Sequence, residues 1–171
     1  MEVAIRPAEA GDVEDIAALH AESWRSSYRG AFSDRYLDGE APGERLRHWI
    51  NRLRSGPRPD QGVLVAMEDG VCVGFICICL QAEPAWGPVL DNLHVRPDRK
   101  GRGIGSRLIR EGLGWVRTRG SFARWHLWVL EGNAAARRVY EHLGWEPGER
   151  AIHIAPDGTE YASLRYIQRL A

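Results

Sequence analysis

A cluster of glycines near the middle of the chain constrains the fold more than any other feature. The segment Lys100-Gly101-Arg102-Gly103-Ile104-Gly105-Ser106 follows an apolar run ending at Leu93-His94-Val95 and precedes an amphipathic helix pattern. Glycines let the backbone turn tightly because they carry no Cβ atom. The first N–H groups of a helix have no partner within the helix and point at any negative group in front of them. We therefore predict an anion-binding cradle at a helix start, suited to a phosphorylated ligand.

Two common phosphate-binding loops do not match this segment. A P-loop requires Gly-Lys followed by Ser or Thr at its end, whereas Gly105 is followed by Ser106 and Arg107. A dinucleotide-binding turn has the pattern G-x-G-x-x-G/A directly after a strand. Counted from Gly101, the last position of that pattern is Ser106. The sequence therefore argues against a kinase or NTPase and against a Rossmann domain.

The loop instead resembles the R/Q-x-x-G-x-G/A motif of the GNAT superfamily of N-acetyltransferases. Lys100, Gly103 and Gly105 occupy its three defined positions, with lysine in place of the usual Arg or Gln. A second segment, from Asn133 through Tyr140 to Trp145, resembles the family's N-x-x-A-x-x-x-Y-x-x-x-G-F pattern, with Trp in place of Phe. The resemblance implies acetyl-CoA as cofactor and transfer of its acetyl group to a primary amine.

Length and charge restrict the organisation and partners of the chain. A chain of 171 residues is most economically one domain, here residues 1–171, with a sizeable core. Lys plus Arg and Asp plus Glu both number 23, so no overall field attracts nucleic acid or an anionic membrane. The longest apolar run, Val71 to Leu80, is shorter than the roughly 20 residues of a spanning helix. We predict a cytoplasmic protein without nucleic-acid or membrane partners, and the resemblance also allows a homodimer.

Hydrophobic periodicity predicts the order β-α-α-β-β-β-α-β-α-β(β), an α/β (α+β) fold with a mixed sheet and helices on its faces. The predicted strands are 3–6, 63–67, 71–80, 89–95, 124–130 and 161–167, and the predicted helices include 44–53 and 134–143. Gly112 and Gly114 interrupt the helix after the glycine loop, which suggests close packing on the sheet. The GNAT resemblance implies the same order, with a mostly antiparallel sheet and one splayed parallel strand pair.

Three cysteines, Cys72, Cys77 and Cys79, lie in one predicted strand. A zinc site would combine a C-x-x-C pair with a second cluster. Cys77 and Cys79 project from the same face of one strand, where disulfide geometry is poor. We predict buried free thiols and no metal site.

The resemblance implies where the cofactor binds. The cofactor-binding residues are Leu93, His94 and Val95 on the splayed strand, Lys100, Gly101, Arg102, Gly103, Ile104, Gly105 and Ser106 in the loop, and Asn133 and Tyr140 beyond it. The strand 93–95 diverges from its parallel neighbour near Trp128, which frees backbone groups for the pantetheine arm. A backbone N–H near Val95 then faces the thioester carbonyl, where a fixed donor can contribute about 3 kcal/mol as charge develops.

Asn133 and Tyr140 are seven residues apart, so on a helix they point in nearly the same direction. In the GNAT family the tyrosine at this place protonates the departing thiolate, and the asparagine contacts the pantetheine region. Taken alone, Asn133 is a typical helix N-cap and Tyr140 a typical core aromatic. An acid beside the sulfur favours an enzyme over the competing hypothesis, a GNAT-like sensor that binds acetyl-CoA without transferring the acetyl group.

The sequence offers two candidates for the base that deprotonates the amine. Asp91, on the strand that leads to the splay, is the best-placed carboxylate, and His94 is the best candidate among groups that titrate near neutral pH. We predict Tyr140, Asp91 and His94 as the catalytic residues. Some members of the GNAT family use a chain of water molecules instead.

Aromatic residues before the second predicted helix are candidates for the acceptor pocket. Trp24, Tyr28, Phe32 and Tyr36 fall within thirteen residues, and Trp86 precedes the strand that carries Asp91. We predict Trp24, Tyr28, Tyr36 and Trp86 as substrate-binding residues, with helix packing as the alternative. The predicted acceptor is a small-molecule amine such as an amino acid or an aminoglycoside-like compound. A peptide N-terminus is the alternative acceptor.

Overall fold

A seven-stranded sheet organises residues 3–170, the part of the chain that the computed structural model describes. Its strands are β1 (Ala4–Pro7), β2 (Gln61–Glu68), β3 (Val71–Cys79), β4 (Val89–Val95), β5 (Arg124–Leu130), β6 (Glu146–Ile154) and β7 (Glu160–Arg169). Their spatial order is β1-β2-β3-β4-β5-β7-β6, and only the β4–β5 pair of this sheet is parallel. The predicted fold class, a mixed and mostly antiparallel sheet, is confirmed.

Four α-helices cover the two faces of this sheet. They are α1 (Val13–Ser27), α2 (Ala41–Leu53), α3 (Ile104–Arg117) and α4 (Ala134–His142), and a π-helical turn at Tyr36–Glu40 leads into α2. The helices α1 and α2 pack on one face, against alternate residues of β3 such as Phe75 and Cys77. The other face, with Ile76 and Ile78, packs against α3. None of the helices within residues 3–170 combines the length and apolarity that a membrane span requires.

Close packing of α3 on the sheet explains one of the two glycines that interrupt it. A Cβ atom on Gly112 would lie 2.7 Å from Cδ1 of Ile78 and 3.0 Å from Cδ1 of Ile76. This confirms the predicted close approach at Gly112. A Cβ on Gly114 would meet nothing within 4 Å, so the prediction is wrong there.

The edge strand β6 is the element that hydrophobic patterning does not define. Its residues are mostly exposed, and the stretch from Glu146 to Arg150 contains a proline and a glycine. The register with β7 shifts between Pro147 and Arg150. An edge strand tolerates proline and a bulge because one side of its backbone needs no partner. The alternating signal of a half-buried strand is therefore missing.

The parallel strands β4 and β5 separate soon after they begin. Their register contains a single pair, Val89 with His126. On the other side of β4, the register with β3 passes from Ile78↔Leu90 to Cys77↔Asn92, so Asp91 is an extra, bulged residue. Bulges bend the strand that carries them. The splay that the resemblance implies is therefore present in the fold.

Candidate active site

A cavity of 1080 Å³ opens where β4 and β5 diverge. The predicted site residues that line it are Trp24, Tyr28, Asp91, Leu93, His94, Val95, Lys100, Gly101, Gly103, Ile104, Gly105, Ser106, Asn133 and Tyr140. They come from α1, β4, the glycine loop, α3 and α4. One continuous space therefore joins the glycine loop, the splayed strands and the aromatic residues of α1.

Three predicted residues do not line this cavity. Tyr36 is buried behind it, where its hydroxyl donates a 2.8 Å hydrogen bond to Oε2 of Glu44. The ring of Trp86 is stacked instead against the guanidinium of Arg165, at 4.3 Å. Arg102 donates a 2.7 Å hydrogen bond from Nη2 to Oε1 of Glu68. The side chains of Tyr36 and Trp86 thus pack within the protein, and that of Arg102 anchors the loop.

The glycine loop has the backbone geometry of an anion cradle. Gly101 and Gly103 have φ angles of 77° and 76°, a region that side chains with a Cβ atom rarely adopt. A Cβ on either glycine would meet nothing within 4 Å, so the space in front of the loop is open. Gly103 is the N-cap of α3, and no described side chain caps the first turn of that helix. Its N–H groups are therefore available to a phosphate, which fits the pyrophosphate of acetyl-CoA.

A buried carboxylate fixes the loop from behind. Glu68 is only 4% exposed and accepts hydrogen bonds of 2.7 Å from both Arg99 and Arg102. These two guanidinium groups lower the pKa of Glu68 to about 2, so the carboxylate stays ionised at neutral pH. The sequence shows Glu68 only as part of a turn, because its arginine partners are distant along the chain.

Backbone groups of β4 face the splay. The N–H of Arg96 donates to the carbonyl of Val73 on β3, at 2.9 Å. Because successive N–H groups of a strand point to opposite sides, the N–H of Val95 points away from β3 and toward the gap beside β5. This is the position at which a donor to a thioester carbonyl was predicted.

Asn133 and Tyr140 lie together on the cavity side of α4. The Asn133 side chain accepts a 3.1 Å hydrogen bond from the N–H of Ala136 and so caps this helix. Tyr140 packs its ring 5.9 Å from that of Trp145. Burial, with a smaller contribution from the neighbouring Tyr28, raises the pKa of Tyr140 well above its usual value. The hydroxyl therefore keeps its proton at neutral pH and is able to donate it.

The two predicted bases have different surroundings. Asp91 accepts a 2.7 Å hydrogen bond from Nη1 of Arg52 and a 2.8 Å bond from the Asn92 amide. His94 shares a 2.7 Å hydrogen bond between its Nδ1 and the hydroxyl of Ser23. Burial and the positive charges of Lys100 and Arg45 lower the pKa of His94 to about 3. His94 is therefore a neutral imidazole, and Asp91 is a carboxylate already held by a cation.

The cysteines differ in their surroundings more than the sequence indicates. Cys72 and Cys77 are buried free thiols, as predicted, whereas Cys79 is only partly buried. Its Sγ lies 3.6 Å from Nη2 of Arg52. Potential ligand atoms of Cys77, Cys79 and Asp91 lie within 4.8 Å of one another. The guanidinium of Arg52 occupies this neighbourhood and would oppose a metal cation.

Several cavity-lining residues on the acceptor side were not predicted. They are Ser23, Arg45, His48, His153 and Tyr161, supplied by α1, α2, β6 and β7. For Arg45 the sequence does contain a signal, because Ala41, Arg45 and Trp49 are spaced by four residues and share one buried face of α2. The others gave no signal, since β6 has no strand pattern and His48 and Ser23 resemble ordinary helix-surface residues.

The comparison with known sequences agrees with this geometry. Residues 15–145 match the Acetyltransferase (GNAT) family. L-amino acid N-acetyltransferase AaaT of Escherichia coli (strain K12) is 32% identical over 174 residues, which cover 99% of this chain and 98% of that protein.

Solved structures show the same fold. The PaiA N-acetyltransferase of Thermoplasma acidophilum in complex with coenzyme A superposes with a TM-score of 0.76 at 20% identity, covering 99% of this chain and all of that one. YncA of Salmonella typhimurium with its cofactor acetyl-CoA superposes with a TM-score of 0.71 at 20% identity, covering 100% of this chain and 95% of that one. The glycine cradle, the splayed strands and these matches together establish that the chain belongs to the GNAT family of acetyl-CoA-dependent N-acetyltransferases.

Proposed function

We propose that this enzyme acetylates a primary amine on a small molecule. The observation that carries the proposal is one continuous cavity, which has the anion cradle at one end and the Trp24–Tyr28 aromatic wall at the other. The splayed strands lie between the two ends. The relative AaaT is named for its action on L-amino acids, which supports an acceptor of this size.

The cradle and the splay would hold the cofactor. Lys100 and the free N–H groups of α3 would bind its phosphates, and the backbone of 93–95 would pair with its pantetheine arm. When bound, acetyl-CoA supplies a thioester whose carbonyl carbon can be attacked by an amine. The N–H of Val95 would donate to the carbonyl oxygen as that oxygen gains negative charge, a contribution of about 3 kcal/mol.

Three side chains would manage the amine and the departing thiolate. Asp91 would attract the ammonium form of the acceptor into the cavity, where the ammonium must release one proton to water before the neutral amine can attack. His94, a neutral imidazole at pH 7, would take the second proton, which the nitrogen loses as the amide forms. Tyr140 would donate its proton to the sulfur as the C–S bond breaks, because Tyr140 lines the cavity and its hydroxyl stays protonated at neutral pH.

The test is a screen of amines with acetyl-CoA, in which thiol release is measured and mass spectrometry locates the acetyl group. Polyamines, aminoglycosides, amino acids and peptides are compared for wild type and Tyr140→Phe. We expect turnover of a small primary amine, and in Tyr140→Phe a fall in kcat of about 100-fold with unchanged coenzyme A affinity.

Tyr166→Phe is the matched control. Its hydroxyl donates to Glu141 at 2.6 Å and does not line the cavity, so kcat should stay at the wild-type value. Acetylation of peptide or protein N-termini alone would contradict the small-molecule acceptor. Wild-type kcat in Tyr140→Phe would show that Tyr140 only packs.

A further inference from the structure

Helix α2 presents a buried cation to the acceptor end of the cavity. Arg45 is only 9% exposed, yet it lines the cavity together with His48, three residues further along the same helix. A buried guanidinium is costly unless its charge and its N–H donors find partners. The partners of Arg45 therefore indicate whether it serves the fold or a ligand.

The donors of Arg45 are only partly used. Nη2 donates a 2.8 Å hydrogen bond to Oε1 of Glu44, the residue beside it on α2. Its Nε is buried and has no hydrogen-bond partner within residues 3–170, and the same holds for Nε2 of His48. A guanidinium carries five N–H donors. Arg45 therefore lines the cavity and also holds N–H donors that no residue within 3–170 accepts.

A second buried arginine shows what a structural role looks like in this protein. Arg165 is 3% exposed and lies between the rings of Trp86 and Trp128, at 4.3 and 4.2 Å. Its Nε donates to Glu149 and its Nη2 to Glu83, at 2.9 and 2.8 Å. Its Nη1 is 2.7 Å from Nδ1 of His126. All three nitrogens of Arg165 have partners, and Arg165 does not line the cavity.

We propose that Arg45 binds a carboxylate of the acceptor, so that the acceptor is a free amino acid. A carboxylate matches a guanidinium because its two oxygens can accept two parallel N–H bonds. Trp24 holds the guanidinium in place, with Cζ of Arg45 4.3 Å from the centre of its ring. This inference rests on the proposed acetylation of a small amine and names the substrate class of that same site.

Aromatic rings connect Arg45 to His94, the proposed proton acceptor. The Trp24 ring contacts His20 at 4.8 Å, and the His20 ring contacts His94 at 4.6 Å. Arg45 is thus connected to the proposed proton acceptor through three successive contacts, and both residues line the same cavity. A free amino acid carries both groups that this cavity would address, a carboxylate for Arg45 and an amine for acetyl transfer.

The other residues that line the acceptor end indicate which side chain the amino acid carries and argue against a polyamine as the acceptor. Tyr28, Phe32 and Tyr161 line the cavity, so an apolar or aromatic side chain would pack there. A polyamine would instead bring several positive charges against Arg45. The acceptor end therefore selects an amino acid with an apolar side chain.

The test compares L-phenylalanine with L-phenylalaninamide, which keeps the amine and the ring and lacks the carboxylate. Steady-state kcat/KM is measured for wild type, Arg45→Gln and Arg47→Gln, the last being an exposed arginine of α2 outside the cavity. Arg45→Gln should lower kcat/KM about 100-fold for L-phenylalanine and less than threefold for the amide. Arg47→Gln should leave both values unchanged. If Arg45 had only a structural role, Arg45→Gln would lower kcat/KM equally for both substrates.

Calorimetry of L-phenylalanine with the coenzyme A complex gives a readout that needs no turnover. We expect wild type to bind L-phenylalanine and Arg45→Gln to lose that binding. Equal use of acid and amide by wild type, or equal losses in Arg45→Gln, would overturn the role of Arg45 while leaving amine acetylation intact. Carboxylate-dependent binding without any acetylation would overturn the proposed function and leave Arg45 as an anion-binding residue. No binding and no turnover of amino acids would overturn the inference.

Discussion

The two ends of the cavity are built from different parts of the chain. The phosphate end consists of the loop 100–106 and the start of α3, where the binding groups are backbone N–H donors freed by two glycines with positive φ. The acceptor end consists of side chains from α1, α2, β4 and β7, among them Trp24, Arg45 and His94. The first end depends on local backbone conformation. The second depends on tertiary packing of residues that are far apart in sequence.

This difference explains why the ends should respond differently to substitution. A backbone donor is lost only when the loop changes shape or something fills the cradle, so most side-chain exchanges there should have small effects. At the acceptor end each charged group acts through its own side chain. Replacing that side chain by a neutral one of the same shape should therefore already weaken acceptor binding or slow turnover. The three predictions below test this contrast, from the largest expected effect to the smallest.

Gly103→Asp should have the largest effect, because it changes the backbone and the charge of the cradle together. The φ of 76° at this position disfavours any residue with a Cβ atom, and a carboxylate there would repel phosphate. We expect the Kd for coenzyme A, measured by calorimetry, to rise more than 100-fold. Binding of L-phenylalanine at the acceptor end should change far less.

Gly56→Asp provides the matched control for Gly103→Asp. Gly56 has the same φ of 76° and the same open surroundings, and it does not line the cavity. Gly56→Asp should introduce the same backbone strain without weakening the binding of coenzyme A. Unchanged coenzyme A affinity in folded Gly103→Asp would show that the phosphates bind elsewhere, and the contrast between the two ends would collapse.

The same contrast explains what the sequence could predict. The bounds of β4 and β5 are predicted correctly, as is the glycine loop that follows β4, because each depends on a short stretch of sequence. The cavity also brings Asn133 and Tyr140 to the loop, as the second motif implies. Gly101 and Gly103 could be recognised because a positive φ restricts the choice of residue.

At the acceptor end, local patterns were a poor guide. Tyr36 and Trp86 are aromatic residues near the site in sequence, but Tyr36 is bonded to Glu44 and Trp86 is stacked on Arg165. Arg45 does not stand out in the sequence, because a charged residue on an amphipathic helix usually faces solvent. Its distance of four residues from Trp49 places it on the buried face instead. Only the packed structure shows which of these side chains reaches the cavity.

Asp91→Asn should have an intermediate effect, because it removes one charge from the acceptor end and preserves shape. Asp91 is exposed and remains beside Arg52, so the fold should tolerate the change. We expect the KM for the amine to rise about fivefold, equivalent to about 1 kcal/mol, with a smaller change in kcat. Asp60→Asn, which affects a surface pair with Arg58 outside the cavity, should leave both constants unchanged. A large fall in kcat at constant KM would instead assign proton removal to Asp91.

The smallest expected effect is a change in the pKa of His94, and it would couple the two ends. Burial lowers the pKa of His94 to about 3, with Lys100 and Arg45 adding repulsion. Lys100 belongs to the phosphate end and Arg45 to the acceptor end. A phosphate bound near the first and a carboxylate bound to the second would each offset part of this repulsion. Coenzyme A and the amino acid should therefore each raise the pKa of His94.

Nuclear magnetic resonance titration of the imidazole carbons can follow this pKa in the free protein, with coenzyme A, and with coenzyme A plus L-phenylalanine. We expect a total rise of about one pKa unit, which makes His94 a stronger proton acceptor only when both ligands are present. His126 is the control, because burial and Arg165 lower its pKa to about 4 and it does not line the cavity. If the pKa of His94 stays constant while both ligands bind, the two ends do not act on it through charge, and water becomes the better candidate for the amine proton.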